Sequence, residues 1–345
     1  MTGPAAGPPG PVRRWVLGAR PRTLAAAAVP VVVGTATGWW LRSPSAHRWW
    51  VAAAPLSRLA PPDPSWHFFL GVVNGPGTVI WWRAVCALVV ALAVQIGTNY
   101  ANDYSDGVRG TDHARVGPLR LVGSGLVAPV VVRRAALLSF ALAAVAGIAL
   151  AAATTWWLVP IGAACFVAGW LYTGGPRPYG YLGLGEVFVF AFFGVVATVG
   201  SSYVQFPHLF TGAAGAPFAA RYDLLVPLWA SVVVGLLATA LLEANNLRDI
   251  TSDRASGKRT LAVRLGRRRA GWLYAGSLAG VAAGVAAVAV VRPWALLALL
   301  AAPLCVGPVR AALGPAEGRA LLPVLGGTGR LQLVVGVLLA VGILL

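Results

Sequence analysis

Residues 99–112 read NYANDYSDGVRGTD, and they overlap the end of an apolar run that begins at residue 81. A second stretch, residues 243–260, reads EANNLRDITSDRASGKRT and also overlaps the end of an apolar run. The chain has ten acidic residues against 27 basic ones, and five of the ten are aspartates in these two stretches. Because charge beside apolar sequence is costly without a partner, the two stretches predict one common site.

On a helix, residues three or four positions apart share a face, so each stretch would carry one polar stripe. The predicted stripes are Asn99, Asp103 and Asp106, with Asn102 beside them, and Asn245, Asp249 and Asp253. Facing carboxylates repel unless a cation lies between them, and hard divalent cations prefer oxygen ligands. The stripes therefore predict a Mg²⁺ site with these aspartates as its catalytic carboxylates. The alternative is that the acids are helix caps and solvated loop charges.

Basic residues follow both stripes, at Arg109 and Arg115 and at Lys258 and Arg259. Mg²⁺ held by carboxylates can bridge to a diphosphate, and the basic side chains can take the remaining phosphate charge. With an allylic diphosphate, neutralising the leaving group is most of the catalysis, and a dry apolar pocket protects the resulting cation. The pattern favours a diphosphate-binding enzyme.

The composition places these stretches in a membrane protein. Of the 345 residues, 58% are hydrophobic and only 11% are charged, against about 25% charged in soluble domains. Nine apolar segments are long enough for helices, which predicts an all-α bundle of nine transmembrane helices. They cover residues 24–41, 81–102, 134–153, 156–173, 184–204, 224–246, 270–291, 293–310 and 321–345. The three cysteines are isolated and predict neither a disulfide nor a zinc site.

The distribution of positive charge predicts the orientation. With the N-terminus in the cytoplasm, twenty of the 27 basic residues fall on the cytoplasmic side and six on the outer side. The net charge of +17 is then explained by topology and not by nucleic acid. Residues 1–23 are expected to be a disordered basic tail, residues 24–345 the transmembrane domain, and residues 42–80 a Trp-rich interfacial loop outside.

The two stretches resemble the aspartate-rich motifs of the UbiA superfamily of intramembrane prenyltransferases. Further similar stretches are WVLGARPRTL at 15–24, RVGPLRLVGSGL at 115–126, YTGGPRPYGYLGLGE at 172–186 and NNLRDITSDRASGKRTLAVRLG at 245–266. The resemblance implies nine helices around a central cavity that opens to the cytoplasmic side of a bacterial cell membrane. The family's third acid is displaced here, since position 110 is Gly and the next acid is Asp112, an expected further metal ligand.

The closer resemblance is to the branch that acts on 1,4-dihydroxy-2-naphthoate. It implies Mg²⁺-dependent transfer of a polyprenyl group from polyprenyl diphosphate to that acceptor, with decarboxylation, to give demethylmenaquinone in menaquinone biosynthesis. Arg22, Tyr172 and Arg177 are the candidate acceptor-binding residues. Two alternatives stay open: a prenyltransferase for another aromatic acceptor, and a cation-coupled transporter, in which acids would lie near the midplane of broken helices.

Overall fold

The computed structural model describes residues 9–42, 78–110, 119–207 and 224–345. Within these ranges the chain forms helices and turns and no β-strand, which confirms the all-α class. The helices are α1 Pro11–Gly18, α2 Ala25–Arg42, α3 Trp81–Val108, α4 Pro129–Ala153, α5 Leu158–Leu171, α6 Gly185–Gln205, α7 Leu225–Ala255, α8 Leu261–Ala289, α9 Pro303–Leu313 and α10 Leu322–Leu344. Short 3₁₀ helices cover Pro21–Thr23, Tyr179–Leu182, Pro293–Ala301 and Gly318–Leu321.

Several of these helices are long and apolar enough to cross a bilayer, so the chain is a multi-pass membrane protein. Among the described residues there are six such spans, and up to eight if each of two bent helix pairs crosses once. The pairs bend by 54° between Pro11–Thr23 and α2, and by 51° between Pro293–Ala301 and α9. The predicted segment 156–173 contains α5, which has 14 residues and is shorter than the roughly 20 that a crossing helix needs. Nine spans stay a prediction.

The N-terminal segment differs from the expected disordered tail. Pro11–Gly18 is helical, and it is anchored on α3, because the Tyr100 hydroxyl donates to the Trp15 carbonyl oxygen at 3.0 Å. The Trp15 and Tyr100 rings meet edge to face, with their centroids 5.5 Å apart. Composition alone does not predict these contacts, because they join residues that are distant in the chain. Of the loop predicted at 42–80, residues 43–77 lie outside the described ranges.

Helix α7 forms the centre of the bundle. It is the most buried of the six spans and packs against α2, α6, α8 and α10. Its contact with α6 is made by backbone: a Cβ atom on Gly194, in the π-helical segment Phe190–Val196, would lie 2.4 Å from the Cα atom of Gly235. Only glycine fits such an approach, so α6 and α7 are in backbone contact at this point.

Both predicted stripes lie on helices. Helix α3 continues through Val108, and α7 continues through Ala255, so each aspartate stripe lies on the last turns of a helix. The side chains there are buried and hydrogen-bonded by other segments, which lets the helices extend beyond the apolar runs. This places the two stripes at the same end of the bundle, as the contacts below show.

Candidate active site

Asp103 anchors a neighbouring turn. Its carboxylate is 1% exposed and accepts hydrogen bonds from two successive backbone N–H groups, those of Leu121 at 2.7 Å and Val122 at 3.1 Å. Such charge-assisted bonds are stronger than neutral ones. Among the described residues, Asp103 does not line the cavity discussed below. Its observed role is to hold the segment after residue 118 against α3.

Asp106, one turn later, joins the two acidic stretches. Its Oδ1 atom accepts from the Tyr181 hydroxyl at 2.5 Å, and its Oδ2 atom lies 3.2 Å from Nζ of Lys258 and 3.5 Å from a guanidinium nitrogen of Arg120. Lys258 Nζ also lies 4.6 Å from the centroid of the Tyr181 ring. One buried carboxylate therefore gathers groups from three separate parts of the chain.

The two asparagines of the first stripe bind protein groups. Asn99 donates through Nδ2 to the Ala19 carbonyl oxygen at 2.8 Å and to the Thr23 hydroxyl at 3.1 Å. Asn102 accepts through Oδ1 from the Thr173 hydroxyl at 2.8 Å. Both asparagines also line the cavity. They tie α3 to the N-terminal segment on one side and to the segment after α5 on the other.

The second stripe is organised by a buried arginine. The Arg248 guanidinium is bidentate to Asp249, with both nitrogen–oxygen distances 2.7 Å, and it also donates to Asn245 Oδ1 at 2.7 Å. A planar guanidinium suits such a forked contact. Asp249 does not line the cavity, whereas Asp253, one turn further along α7, does. Of the four aspartates in described stripes, Asp106 and Asp253 are therefore the two that face it.

One cavity of about 1520 Å³ brings these groups together. Most of its wall is apolar, from residues of α3, α4, α5 and α6. Its polar end carries two carboxylates and an excess of basic residues. Those basic residues are Arg20, Arg22, Arg120, Arg248, Lys258 and Arg319. An excess of positive charge at the end of an apolar cavity suits a ligand with an anionic head and a long apolar tail.

The remaining candidates divide into those that reach the cavity and those that do not. Arg22 and Tyr172 line it. Arg109 instead donates to the carbonyl oxygens of Thr173 and Gly175, and Arg177 and Arg259 are exposed; none of these three lines the cavity within the described ranges. Asp112 and Arg115 lie outside the described residues.

The oxygen-rich donor set fits a hard divalent cation. Carboxylate and amide oxygens of Asp106, Asp253 and Asn102 line the same space, and Mg²⁺ commonly takes only one or two carboxylates together with substrate phosphates and water. The described residues contain no group of three or more His, Cys, Asp or Glu side chains that could hold a metal. A cation here would thus depend on ligands from a diphosphate as well as from the protein.

Sequence analysis missed several polar cavity residues, among them Arg120, Tyr181, Asn246 and Arg248. Arg120 and Tyr181 contact Asp106 only through tertiary structure, so no spacing could reveal them. Arg248 and Asn246 lie within the second acidic stretch. The sequence could have indicated both, because Asn246 follows the predicted ligand Asn245 and Arg248 precedes the predicted ligand Asp249.

Fold and site together define an integral membrane enzyme whose cavity accepts an anionic, long-tailed substrate. The model of the UbiA prenyltransferase family matches residues 66–320. The chain belongs to the UbiA prenyltransferase family, which confirms the resemblance and leaves the transporter alternative without support.

Curated relatives are similar along nearly the whole chain. The 1,4-dihydroxy-2-naphthoate octaprenyltransferase of Mycobacterium tuberculosis is 44% identical over 324 residues, which cover 93% of each chain. The enzyme of the same name from Escherichia coli is 35% identical, over 96% of this chain and 95% of that one. The family assignment therefore extends to the C-terminal helices, where the sequence offered only hydrophobic spans.

A solved structure shares the fold. A UbiA homolog from Archaeoglobus fulgidus bound to GPP and Mg²⁺ superposes with a TM-score of 0.53 at 16% identity, covering 94% of this chain and 99% of that one. The same homolog bound to DMAPP and Mg²⁺ gives a TM-score of 0.54 at 15% identity. At these identities the likeness shows the bundle architecture, and Mg²⁺ with a prenyl diphosphate is found in structures of this family.

Proposed function

We propose that this protein transfers a polyprenyl group from polyprenyl diphosphate to 1,4-dihydroxy-2-naphthoate, with loss of the acceptor carboxylate. The product has the ring and side chain of demethylmenaquinone, an intermediate of menaquinone biosynthesis. The observation that carries the proposal is the convergence of both acidic stretches on one apolar cavity, through the contact of Lys258 with Asp106. The names of the two bacterial relatives support the choice of acceptor.

The proposed reaction replaces a C–O bond of the donor by a C–C bond to the acceptor. The C–O bond of the allylic diphosphate breaks, and diphosphate leaves with the bonding electrons. A C–C bond then forms between the allylic carbon and the ring carbon that bears the carboxylate, and the carboxylate leaves as CO₂ while the electron pair of the broken C–C bond restores the aromatic ring. The products are the prenylated ring, CO₂ and diphosphate, so atoms and charge balance without another reactant.

Magnesium has a supporting place in this proposal. Asp106 and Asp253, with the amide oxygens of Asn102 and Asn245, are the described side chains that would hold it in the cavity. When bound, Mg²⁺ supplies positive charge to the diphosphate oxygens as the C–O bond breaks. Asn99, Asp103 and Asp249 stay predicted ligands; in this structure they make hydrogen bonds to protein groups, as Asn102 and Asn245 also do.

Basic side chains would bind the diphosphate directly. Lys258, Arg120 and Arg248 are placed at the polar end and are each already near a carboxylate of one of the stripes. A trianionic donor entering with Mg²⁺ gives these cations a second anionic partner. Their positive charge is fixed in place before the leaving group develops its own charge, which is the requirement for electrostatic catalysis.

The apolar wall has two functions in the proposal. It accommodates the polyprenyl tail, and it keeps water away from the allylic cation, which water would otherwise convert to an alcohol. Arg22 and Tyr172 line the cavity and are the proposed acceptor contacts, the arginine for the carboxylate and the tyrosine ring for the aromatic face. Arg177, being exposed, has no such support.

The orientation of the site completes the proposal. Because the basic residues concentrate at the end of the bundle that carries both acidic stretches, we assign that end and the N-terminus to the cytoplasm of a bacterial cell. Both soluble substrate groups, the diphosphate head and the naphthoate, would then enter from the cytoplasmic side.

The test is direct. Purified protein in detergent or vesicles is incubated with Mg²⁺, a polyprenyl diphosphate and a panel of aromatic acids, and products are identified by mass. We expect prenylation of 1,4-dihydroxy-2-naphthoate with a mass that reflects loss of CO₂. A product retaining the carboxylate, or formed only from another acid such as 4-hydroxybenzoate, would replace the proposed acceptor.

A further inference from the structure

Asn246 presents one end of its amide to the cavity and turns the other away. The residue lines the cavity, and its Nδ2 atom donates to Oε1 of Glu186 at 3.0 Å. Both side chains are buried, with 6% and 7% exposure. In the structure the amide nitrogen faces Glu186, which leaves the carbonyl oxygen Oδ1 for the cavity. Oδ1 has no hydrogen-bond partner among the described residues.

Glu186 itself lies behind the cavity wall. It is the second residue of α6, and Asn246 is the only side chain of the described residues that donates to its carboxylate. The second carboxylate oxygen, Oε2, is buried and has no hydrogen-bond partner in the described part of the chain. Burying a carboxylate with so few partners is costly. That cost is explained if the carboxylate is needed to fix the orientation of the amide.

Tyr172 provides an aromatic surface next to this pair. Its ring packs on the backbone of Gly185, the residue before Glu186, where an added Cβ would lie 3.3 Å from the Cε2 atom of the ring. Leu242, one turn before Asn246 on α7, is also 3.3 Å from that position. The tyrosine ring and the Asn246 amide are thus on adjoining parts of the wall, and both line the cavity. Together they give the cavity wall an aromatic ring and a hydrogen-bond acceptor.

We propose that Oδ1 of Asn246 accepts a hydrogen bond from a ring hydroxyl of the aromatic acceptor lying beside Tyr172, and that Glu186 is the positioning residue for this amide. The inference rests on the proposed function, which supplies an acceptor with two ring hydroxyls. A carbonyl oxygen repels phosphate oxygens, so the contact selects the acceptor and not the diphosphate. It favours acceptors that carry a hydroxyl at the matching ring position.

The experiment compares three acceptors in each protein: 1,4-dihydroxy-2-naphthoate and its two mono-O-methyl ethers, each of which lacks one hydroxyl donor. The parent protein should use one ether much less efficiently than the dihydroxy acid. In Asn246→Leu, KM for the dihydroxy acid should rise about tenfold, the loss of one hydrogen bond, while KM for the prenyl diphosphate stays at the parent value. The preference for the free hydroxyl should disappear, an effect that damage to the fold would not produce.

Glu186→Gln tests the positioning role. A glutamine can face Asn246 with either end of its own amide, so it no longer fixes which end of Asn246 meets the cavity. We expect the preference for the hydroxyl to weaken here as well. Glu243→Gln is the matched control, because Glu243 is another buried glutamate, on the helix of Asn246, that accepts from Ser277 at 3.0 Å and does not line the cavity. It should keep the parent preference.

The outcomes separate the inference from the function on which it rests. If the parent protein does not prenylate 1,4-dihydroxy-2-naphthoate, the proposed function fails. If the parent is active but Asn246→Leu keeps its preference for the hydroxyl, the inference alone is wrong. A rise in the KM for the diphosphate, or in the Mg²⁺ concentration required, would instead assign Asn246 to the donor and overturn the inference.

Discussion

The side-chain nitrogen of Lys258 lies 3.2 Å from Oδ2 of Asp106, although 152 positions separate the two residues in the chain. This ion pair is buried at both ends, with side-chain exposures of 6% and 1%. It joins the C-terminal end of α3 to the turn after α7, so it is the contact through which the two acidic stretches become one site. Both residues also line the cavity.

Lys258→Ala should weaken binding of the prenyl diphosphate. The lost charge-assisted contact corresponds to about 1–3 kcal/mol, seen as a higher KM for the donor with little change for the acceptor. The neighbouring Arg259→Ala is the matched control, since its side chain is exposed and away from the cavity, although the sequence predicted a role for it. Equal effects of the two substitutions would contradict the placement of Lys258 in the donor site.

Asp106→Asn and Asp253→Asn should abolish prenyl transfer while leaving a folded protein. Each removes a carboxylate from the cavity, and without it the diphosphate charge and the Mg²⁺ cannot be matched. Turnover should also cease in EDTA and return when Mg²⁺ is added. Activity that persists in EDTA would exclude a divalent cation from the reaction.

Asp103→Asn should act on stability. The carboxylate accepts hydrogen bonds from two backbone N–H groups. An asparagine side chain has only one acceptor oxygen, and that oxygen carries no net charge, so one of the two N–H groups would lose its partner. We expect a loss of about 1–3 kcal/mol in the free energy of unfolding, measured as a lower Tm in detergent. Asp106→Asn is the comparison, because its partners are side chains at the cavity. A normal Tm together with lost activity in Asp103→Asn would show that this residue acts on substrate instead.

The topology can be tested with two introduced cysteines, after the three native ones are replaced. Ser124 is exposed after the turn held by Asp103, and Ser256 is partly exposed just after α7. With both positions in the cytoplasm, Ser124→Cys and Ser256→Cys should resist a membrane-impermeant thiol reagent in intact cells and react after lysis. Reaction from outside would reverse the proposed orientation.

The sequence predicted those features that depend on periodicity. Helical spacing correctly put Asp106 and Asp253 on the faces that meet the cavity, and apolar segment length correctly indicated a helical membrane protein. It does not reveal a partner that is distant in the chain. Asn99 lines the cavity as the spacing allows but also donates to the Ala19 carbonyl, and Arg109, a predicted phosphate contact, donates to the Thr173 carbonyl.

The same limit explains the residues that were missed. Arg120 and Tyr181 have no stripe or motif of their own, and they matter only because the fold brings both to Asp106. The apolar segment also ends before the helix does, since α3 extends to Val108 on polar contacts that the sequence does not show. Periodicity identifies a face of a helix, and tertiary packing decides what that face meets.

The glycine contact between α6 and α7 makes one side of the cavity stiff. Gly194 and Gly235 already bring the two backbones together, so these helices cannot approach further at this point. Helix α5, on another side of the cavity, has Ala168 as its one buried residue, so a displacement of α5 would disrupt fewer packing contacts. Prenyl tails of different thickness or length would therefore be accommodated by displacement of α5. Helix α5 is then the movable wall of the cavity, and the contact between α6 and α7 is its fixed wall.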